Sequence, residues 1–442
     1  MYPEFALVLH RPQSVFVSQV PLPMSFRQKA ALIVLLAVLV RLAFVVAVDT
    51  RKLSVAHNPD TEDYLSFAYN LATGIGFAHA INEDQPFSQP VEFSAWRAPL
   101  YPMFLAAAFQ ISRNTLFLRC LQVALAGFSA YFLMEVALIL FSQMAALISG
   151  VVFALYPLLI FYTADLGTET LFVFLLTATL LVYYRAGGNI SSGHAFLLGV
   201  LTGLAALDRP NGLMLIPAFA LAFWFRKHTR AEALRRIAVL TVAVAMVVLP
   251  WTYRNYRLYH KLVLISSNGG ANLWFGAYFR LLPDASMEEI GYSQHKALRD
   301  VPEPDREKYY YRQAFAILDH SPRRWGEMFA SNFAAMYTLV PSAKLHSPKE
   351  RILYSICFLP LLLSGVAGWI MLRRRWRELA LLWGWVLADT FLYCIYVSSI
   401  RYRVASVDPV LILGTGVLVA TVVSHRTSMA LAVEPRLDSS RT

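Results

Sequence analysis

The stretch AALIVLLAVLVRLAFVVAV, from Ala30 to Val48, decides the fold class. It is a continuous apolar run, and crossing a ~30 Å hydrocarbon core takes roughly 20 helical residues. Similar runs recur along the 442-residue chain, of which 57% is apolar, counting Ala, Tyr and Cys, and 15% is charged. An ordinary soluble domain is about 25% charged. The sequence therefore predicts an all-α polytopic membrane protein.

Other classes of protein do not fit this pattern. A membrane β-barrel would show short segments of alternating apolar and polar residues, whereas the apolar runs here are unbroken. The high apolar content excludes a disordered chain. The three cysteines, Cys120, Cys357 and Cys394, all lie inside apolar runs, which excludes a disulfide scaffold.

Apolar runs bounded by charged or turn residues predict ten transmembrane helices. They lie near residues 27–48, 115–140, 144–164, 168–184, 194–207, 211–225, 236–251, 351–371, 378–397 and 406–424.

The basic residues of the short loops predict the orientation of these spans. Thirteen lie on the side of the N-terminus: Arg27, Lys29, Arg185, Arg226, Lys227, Arg230, Arg235, Arg236, Arg373, Arg374, Arg375, Arg377 and Arg426. The opposite short loops contain three, Arg209, Arg401 and Arg403. This asymmetry predicts cytoplasmic termini in a plasma (inner) membrane. It also accounts for much of the formal charge of +11, so no nucleic-acid partner is needed.

Two long hydrophilic segments then fall on the same extracytoplasmic side. We divide the chain into an N-terminal extension (1–23), a membrane domain (24–251) with a first outer loop (49–114), a second outer segment (252–350), C-terminal membrane helices (351–425) and a cytoplasmic tail (426–442). The extension lacks the pattern of a signal peptide or a span, and the basic and then apolar pattern begins only at Met24, which we expect to be the true start. An active site built from both outer segments would be extracytoplasmic.

The first outer loop contains three carboxylates within four residues, Asp60, Glu62 and Asp63, followed by apolar residues at helical spacing from Tyr64. The spacing predicts a short amphipathic helix that begins near Asp60. A carboxylate at that place can cap the helix. It can also serve as a general base, or as a metal ligand, at the membrane rim.

Several motifs occur in a fixed order, on one predicted side of the membrane. They are Asp60-x-x-x-Tyr64, Gly74-Ile-Gly76, Arg97-Ala-Pro-Leu-Tyr101-Pro102, Thr168-Glu169-Thr-Leu-Phe172, Leu207-Asp-Arg-Pro-Asn-Gly212, Pro250-Trp-Thr-Tyr-Arg-Asn-Tyr256 and Arg401-Tyr402-Arg403. The chain thereby resembles the GT-C fold glycosyltransferases that use polyprenyl-phosphate sugars. That superfamily includes protein O-mannosyltransferases and the bacterial aminoarabinose transferase of lipid A.

The resemblance implies an inverting glycosyltransferase that transfers a hexose or pentose from a polyprenyl-phosphate carrier. Asp60 matches the catalytic carboxylate of the family, with Glu62 or Asp63 in support. The donor phosphate would be bound by arginines at the predicted outer ends of the spans, namely Arg97, Arg209, Arg254, Arg401 and Arg403. Tyr64, Tyr101 and Asn268, the last in a Gly-rich polar stretch, would contact donor or acceptor.

Two further interpretations stay open at this point. Asp165 and Glu169 lie one helical turn apart and could hold Mg²⁺ or Mn²⁺ with Asp60 or Asp63, or simply cap a helix. A transporter or flippase of lipid-linked sugars would also have many spans and outer arginines, but it predicts interrupted helices and ionisable residues deep in the bundle. A silent lipid-binding membrane protein would keep the arginines without needing Asp60. The acceptor could be a protein, a lipid or a glycan.

Overall fold

A computed structural model of the chain describes residues 24–47, 60–80, 87, 90–188, 190–225, 229–282, 298, 301–341 and 347–433, with side chains up to residue 425. The extension 1–23 and most of the tail 426–442 lie outside what is described. The first half contains α1 (Phe26–Ala47), α2 (Asp60–Ala72), β1 (Ala78–Ala80), β2 (Val91–Phe93), α3 (Leu100–Phe109), α4 (Thr115–Leu140), α5 (Gln143–Leu155), α6 (Pro157–Ala164), α7 (Glu169–Arg185) and α8 (Ser192–Asp208).

The second half consists of helices and connecting loops in its described residues. A 3₁₀ helix (Pro210–Met214) is followed by α9 (Leu215–Phe225), α10 (Arg230–Tyr259), α11 (Gly269–Leu281), α12 (Glu303–Leu318), α13 (Pro322–Met336), α14 (Pro348–Met371), a 3₁₀ turn (Arg373–Arg375), α15 (Ala380–Ile395), α16 (Ile400–Ser406) and α17 (Asp408–Val433). The protein is an all-α, multi-pass membrane protein, as predicted.

Each predicted span corresponds to a helix, but the helices differ in length. Five of the described helices are long and apolar enough to cross a membrane, and six if one bent pair forms a single span. The five are Phe26–Ala47, Thr115–Leu140, Arg230–Tyr259, Pro348–Met371 and Asp408–His425. The segments predicted at 194–207, 211–225 and 378–397 form shorter apolar helices.

The span predicted as continuous at 144–164 is broken, and this detail of the prediction is wrong. α5 and α6 meet at a bend of 52°, because Pro157 lacks the N–H that would continue the helix. The buried Arg41 of α1 takes over the freed carbonyls, donating from Nη2 to Phe153 O and from Nη1 to Ala154 O at 3.0 Å each. Its Nε also donates to Thr163 Oγ1 at 3.3 Å.

The short helix predicted near Asp60 is confirmed at Asp60–Ala72. The second outer segment contributes the helices Glu303–Leu318 and Pro322–Met336. The Gly-rich polar stretch that contains Asn268 leads directly into α11, which begins at Gly269 and buries Trp274. The glycines allow this helix to lie against α12, since a Cβ on Gly270 would meet the carbonyl oxygen of Glu307. A two-stranded antiparallel ribbon, β1 with β2, was not predicted.

Candidate active site

Asp60 is the first residue of α2, and its side chain is 24% exposed. Its Oδ1 accepts a hydrogen bond from Arg97 Nη2, and its Oδ2 accepts one from Arg401 Nη1, both at 2.7 Å. Arg97 precedes α3, whereas Arg401 lies in the first turn of α16. The fold therefore brings together Asp60, Arg97 and Arg401, three predicted site residues from distant parts of the chain.

Arg97 also binds the second predicted carboxylate. Asp63 Oδ2 accepts from Arg97 Nε at 3.0 Å and from Nη2 at 2.7 Å. The guanidinium carbon lies 5.6 Å from the centre of the Tyr64 ring, in cation–π range. Asp63 is thus a neighbour of Asp60 through a shared arginine, which fits the supporting role predicted for it.

A third carboxylate extends this arrangement on the other side. Glu169 Oε1 accepts a hydrogen bond from Arg401 Nε and another from Arg209 Nη1, the latter at 2.7 Å. Arg209 Nη1 also donates to Thr168 Oγ1 at 3.0 Å. The resulting charge cluster is a row of alternating side chains: Asp63, Arg97, Asp60, Arg401, Glu169 and Arg209.

The charge cluster is electrically balanced, with three carboxylates and three arginines. Burial alone raises the pKa of Asp60, but the charges and hydrogen bonds of Arg97 and Arg401 outweigh it and hold the pKa well below the ordinary value. Burial lowers the pKa of Arg97, yet the adjacent carboxylates raise it above the ordinary value. Asp60 is therefore ionised and, in this arrangement, a weak proton acceptor.

The two predicted tyrosines, Tyr64 and Tyr101, are both buried and have different neighbours. Tyr64 is buried beside Arg97, and burial raises the pKa of its phenol above the ordinary value. Tyr101 is fully buried and donates to Gln122 Oε1 at 2.8 Å, while Gln122 in turn donates to the carbonyls of Thr163 and Asp165. The predicted substrate contact of Tyr101 is wrong, because its hydroxyl is held inside the protein.

Arg403 does not join the charge cluster, and its predicted role is wrong. It is fully buried and donates from Nε to Asp408 Oδ1 at 2.8 Å. It also donates to the Tyr354 hydroxyl at 2.7 Å and to Met336 O at 3.2 Å. Arg403 therefore joins α13, α14, α16 and α17 rather than binding a phosphate.

Arg254 is bound to backbone carbonyls of the first outer loop. It donates from Nη1 to Ser94 O at 2.7 Å and from Nη2 to Phe77 O at 2.9 Å. The structure thus gives it a positioning role, which corrects its predicted place among the phosphate ligands. Asn268 occupies the N-cap position of α11 without a capping hydrogen bond from its side chain, and its Oδ1 accepts from Ser266 Oγ at 2.9 Å. Its contact with substrate stays a prediction.

The predicted metal ligands Asp165 and Glu169 both have protein partners. Glu169 is neutralised by two arginines, and Asp165 Oδ1 accepts from Thr61 Oγ1 at 3.4 Å. Across the described ranges, no group of three or more His, Cys, Asp or Glu side chains is placed to hold a metal ion. Glu169 is already paired with two arginines, and a divalent cation held by Asp165 and Glu169 stays a prediction.

Two buried charged residues near these elements were missed from the sequence. Arg41 lies within the first apolar run, and an ionisable residue inside a span is itself a signal of a special role. Glu303 in α12 is 2% exposed, and its Oε2 accepts hydrogen bonds of 2.8 Å from Ala95 N, Tyr259 Oη and Ser267 Oγ. No local pattern marks Glu303, since its partners come from distant segments.

Part of the chain matches a known protein family. Residues 96–253, which include Arg97, Glu169 and Arg209, match the family model of dolichyl-phosphate-mannose-protein mannosyltransferase. No curated protein matches the chain in sequence.

Solved structures show the fold. The apo oligosaccharyltransferase of Archaeoglobus fulgidus is similar with a TM-score of 0.54 at 14% identity, over 93% of this chain and 52% of that one. The same archaeal protein, AglB, in complex with an inhibitory peptide and a dolichol-phosphate gives 0.52 at 12% identity, over 94% and 52%. The chain spans about half the length of that oligosaccharyltransferase.

ArnT from Cupriavidus metallidurans, bound to undecaprenyl phosphate, gives a lower TM-score of 0.40 at 15% identity, over 86% of this chain and 77% of that one. The similarity to the archaeal structures, together with the family match, shows that this protein has the GT-C fold.

Proposed function

From the GT-C fold and the charge cluster, we propose that this protein is an inverting glycosyltransferase of the membrane. It transfers a monosaccharide from a polyprenyl-phosphate carrier to an extracytoplasmic acceptor. The observation that carries the proposal is the placement of Asp60 between Arg97 and Arg401, at 2.7 Å from each. The match to a mannosyltransferase family model and the dolichol-phosphate bound by AglB support a lipid-phosphate donor.

The two ends of the charge cluster suit different tasks. Arg97 binds Asp63 through two nitrogens as well as Asp60, so it is held on the carboxylate side. Arg401 and Arg209 converge on a single oxygen of Glu169. Arg401 is 16% exposed and is the cation that we expect to turn toward a phosphate, while Arg209, 7% exposed, adds positive charge behind it. Arginine suits this task because its planar donors match phosphate oxygens.

Donor binding would then activate the base. When the phosphate draws Arg401 away, Asp60 loses one of the two cations that depress its pKa, and its basicity rises toward the ordinary value. Asp60 takes the proton of an acceptor hydroxyl while the acceptor oxygen bonds to the anomeric carbon. The bond from that carbon to the phosphate oxygen breaks, and the electron pair leaves with the phosphate, where Arg401 and Arg209 stabilise it. One displacement inverts the anomeric centre.

One observation favours the transporter as a second candidate. The bundle has a broken helix, α5 with α6, and a buried charge at the break, Arg41, both of which a transporter predicts. The contacts of Arg41 run to Phe153, Ala154, Ala37 and Thr163, which fix the break.

Purified protein in liposomes separates the two functions. Radiolabelled prenyl-phosphate sugars are supplied with a panel of acceptors, and transfer is compared between wild type and Asp60→Asn. The matched control is Asp305→Asn, which removes an exposed carboxylate of the second outer segment that pairs with Lys261. Transfer by wild type and the control, but not by Asp60→Asn, supports the glycosyltransferase function. Equal donor consumption by all three proteins contradicts the role of Asp60 as the general base. Movement of the intact donor across the bilayer without transfer would indicate the transporter.

A further inference from the structure

The helices α14 and α17 pack with their backbones in contact over part of their length. A Cβ on Gly368 would overlap the carbonyl oxygen of Gly414, and one on Gly416 would meet the carbonyl of Ala145 in α5 at 2.6 Å. Small residues permit such close approach between membrane helices. Beyond Gly416, Val417 and Ala420 of α17 pack with Ala145 of α5, and Phe141 and Leu372 lie against them.

A cavity of about 380 Å³ lies at this end of α17. Its apolar wall is formed by Phe141, Leu372, Val417 and Ala420, and the hydroxyls of Ser142, Thr421 and Ser424 are interspersed with them. Arg375 and His425 line the same cavity. Its lining is therefore amphipathic, with apolar walls and a basic side chain.

The cavity is far from the charge cluster. α17 begins at Asp408, which binds Arg403, and it reaches His425 after about 25 Å at the rise of an α-helix. The cavity thus lies toward the opposite membrane face from Arg401. The chain next to it, from Arg373 to Glu378, contains four arginines and one glutamate. Arg375 pairs with Glu378 at 2.6 Å, which leaves the other three arginines of that turn in excess.

We propose that this cavity binds the headgroup of an anionic phospholipid, in the leaflet opposite to the charge cluster. Basic pockets between membrane helices bind such headgroups, and each nearby arginine contributes to the attraction. The phosphate would compete with Glu378 for Arg375, while the glycerol and the first acyl carbons lie against Phe141, Leu372 and Ala420. The lipid would fill the opening that the glycine contacts leave and would connect α14 with α17.

The test measures lipid binding by native mass spectrometry of the full chain in detergent. Phosphatidylglycerol and phosphatidylcholine with the same acyl chains are titrated separately. Arg375→Gln removes the lining charge, and Ala420→Phe fills the cavity. The matched control is Arg323→Gln, because Arg323 also pairs with a nearby glutamate, Glu327, but lies in α13.

We expect wild type and Arg323→Gln to bind phosphatidylglycerol more tightly than phosphatidylcholine. Arg375→Gln should weaken binding of phosphatidylglycerol about fivefold, the effect of one arginine near a lipid surface. Millimolar inorganic phosphate should not displace the lipid, because the apolar wall contributes nothing to free phosphate. Arg375 is partly exposed, so its variant folds even if Ala420→Phe does not.

Three results would overturn the proposal. They are equal affinity of wild type for the two lipids, equal losses in Arg375→Gln and Arg323→Gln, or displacement of the lipid by inorganic phosphate. None of these outcomes depends on glycosyl transfer. The proposed glycosyltransferase function could therefore be disproved without affecting the proposal of a lipid site.

Discussion

The carboxylate oxygen Oε2 of Glu303 accepts a hydrogen bond from the backbone N–H of Ala95 at 2.8 Å. Ala95 lies two residues before Arg97, and its own carbonyl accepts from Ser267 N at 2.8 Å. One side chain of the second outer segment therefore fixes the loop that presents an arginine to Asp60.

For this reason we expect Glu303→Gln to impair catalysis without unfolding the protein. The amide can still accept a hydrogen bond, but it has lost the charge that strengthens three of them. A small displacement of Arg97 should lower kcat/KM about tenfold. Steady-state kinetics in liposomes would measure it, with Asp305→Asn from the same helix turn as the control. A fall in melting temperature with kcat/KM unchanged would show that Glu303 stabilises the fold alone.

Asp60→Asn should reduce the rate of transfer by about 10² to 10⁴, the usual contribution of a general base. The amide preserves the size of the side chain but cannot take the proton. Single-turnover kinetics with saturating donor would give this factor directly. Donor binding should persist, since three arginines remain, and loss of donor binding instead of the chemical step would contradict the assignment.

Arg401→Gln should affect donor binding more than the chemical step: the factor by which the KM for donor rises should exceed the factor by which kcat falls. Arg401 touches both Asp60 and Glu169, and hydrogen bonds to charged groups contribute about 1.5 to 3 kcal/mol, or roughly 10- to 100-fold in affinity. Arg401→Lys should restore part of the loss because it keeps the charge. If Lys and Gln were equally impaired in donor binding, the charge of Arg401 would not be what the phosphate recognises.

Stability should depend on the ionisation of Asp60. Its pKa in the folded protein lies below the ordinary value of about 3.9, so the folded state binds this proton less readily than the unfolded state does. The resulting stabilisation is complete above the ordinary pKa and is lost as pH falls toward the lowered one. Melting curves from pH 7 to pH 3 should therefore show wild type losing more stability than Asp60→Asn. If wild type and Asp60→Asn lost stability equally as the pH falls, Arg97 and Arg401 would not lower the pKa of Asp60 in solution.

The buried pair Arg403–Asp408 should behave as a structural pair. Arg403→Met leaves Asp408 as an uncompensated buried charge, which costs about 3 to 5 kcal/mol, whereas replacing both partners by apolar residues costs far less. Thermal unfolding of Arg403→Met, Asp408→Leu and the double variant would measure the difference. The KM for donor should also be measured for the double variant. If that variant is stable but no longer binds donor, Arg403 binds the donor phosphate after all.

The helices were predictable because apolar runs are local, whereas the charge cluster joins residues as far apart as Asp60 and Arg401, 341 positions along the chain. The sequence predicts that both residues lie at the same membrane face, but it does not predict that they form a salt bridge. It also treated Arg401 and Arg403 alike, although residues two apart on a helix face different sides. That is why Arg401 meets Asp60 while Arg403 turns into the bundle. The break at Pro157 was readable from the proline, but its stabilisation by Arg41 depends on packing.

The balance of three acids against three arginines bears on the order of events in each catalytic turnover. When Asp60 gains a proton during the proposed transfer, the charge cluster is left with one surplus positive charge. At the same step the carrier loses its sugar and becomes a phosphate monoester, which has more negative charge than the sugar-linked form. That surplus retains the carrier until Asp60 gives its proton to water. Deprotonation and carrier departure are thereby coupled, and acidic surroundings would slow the recycling of the enzyme.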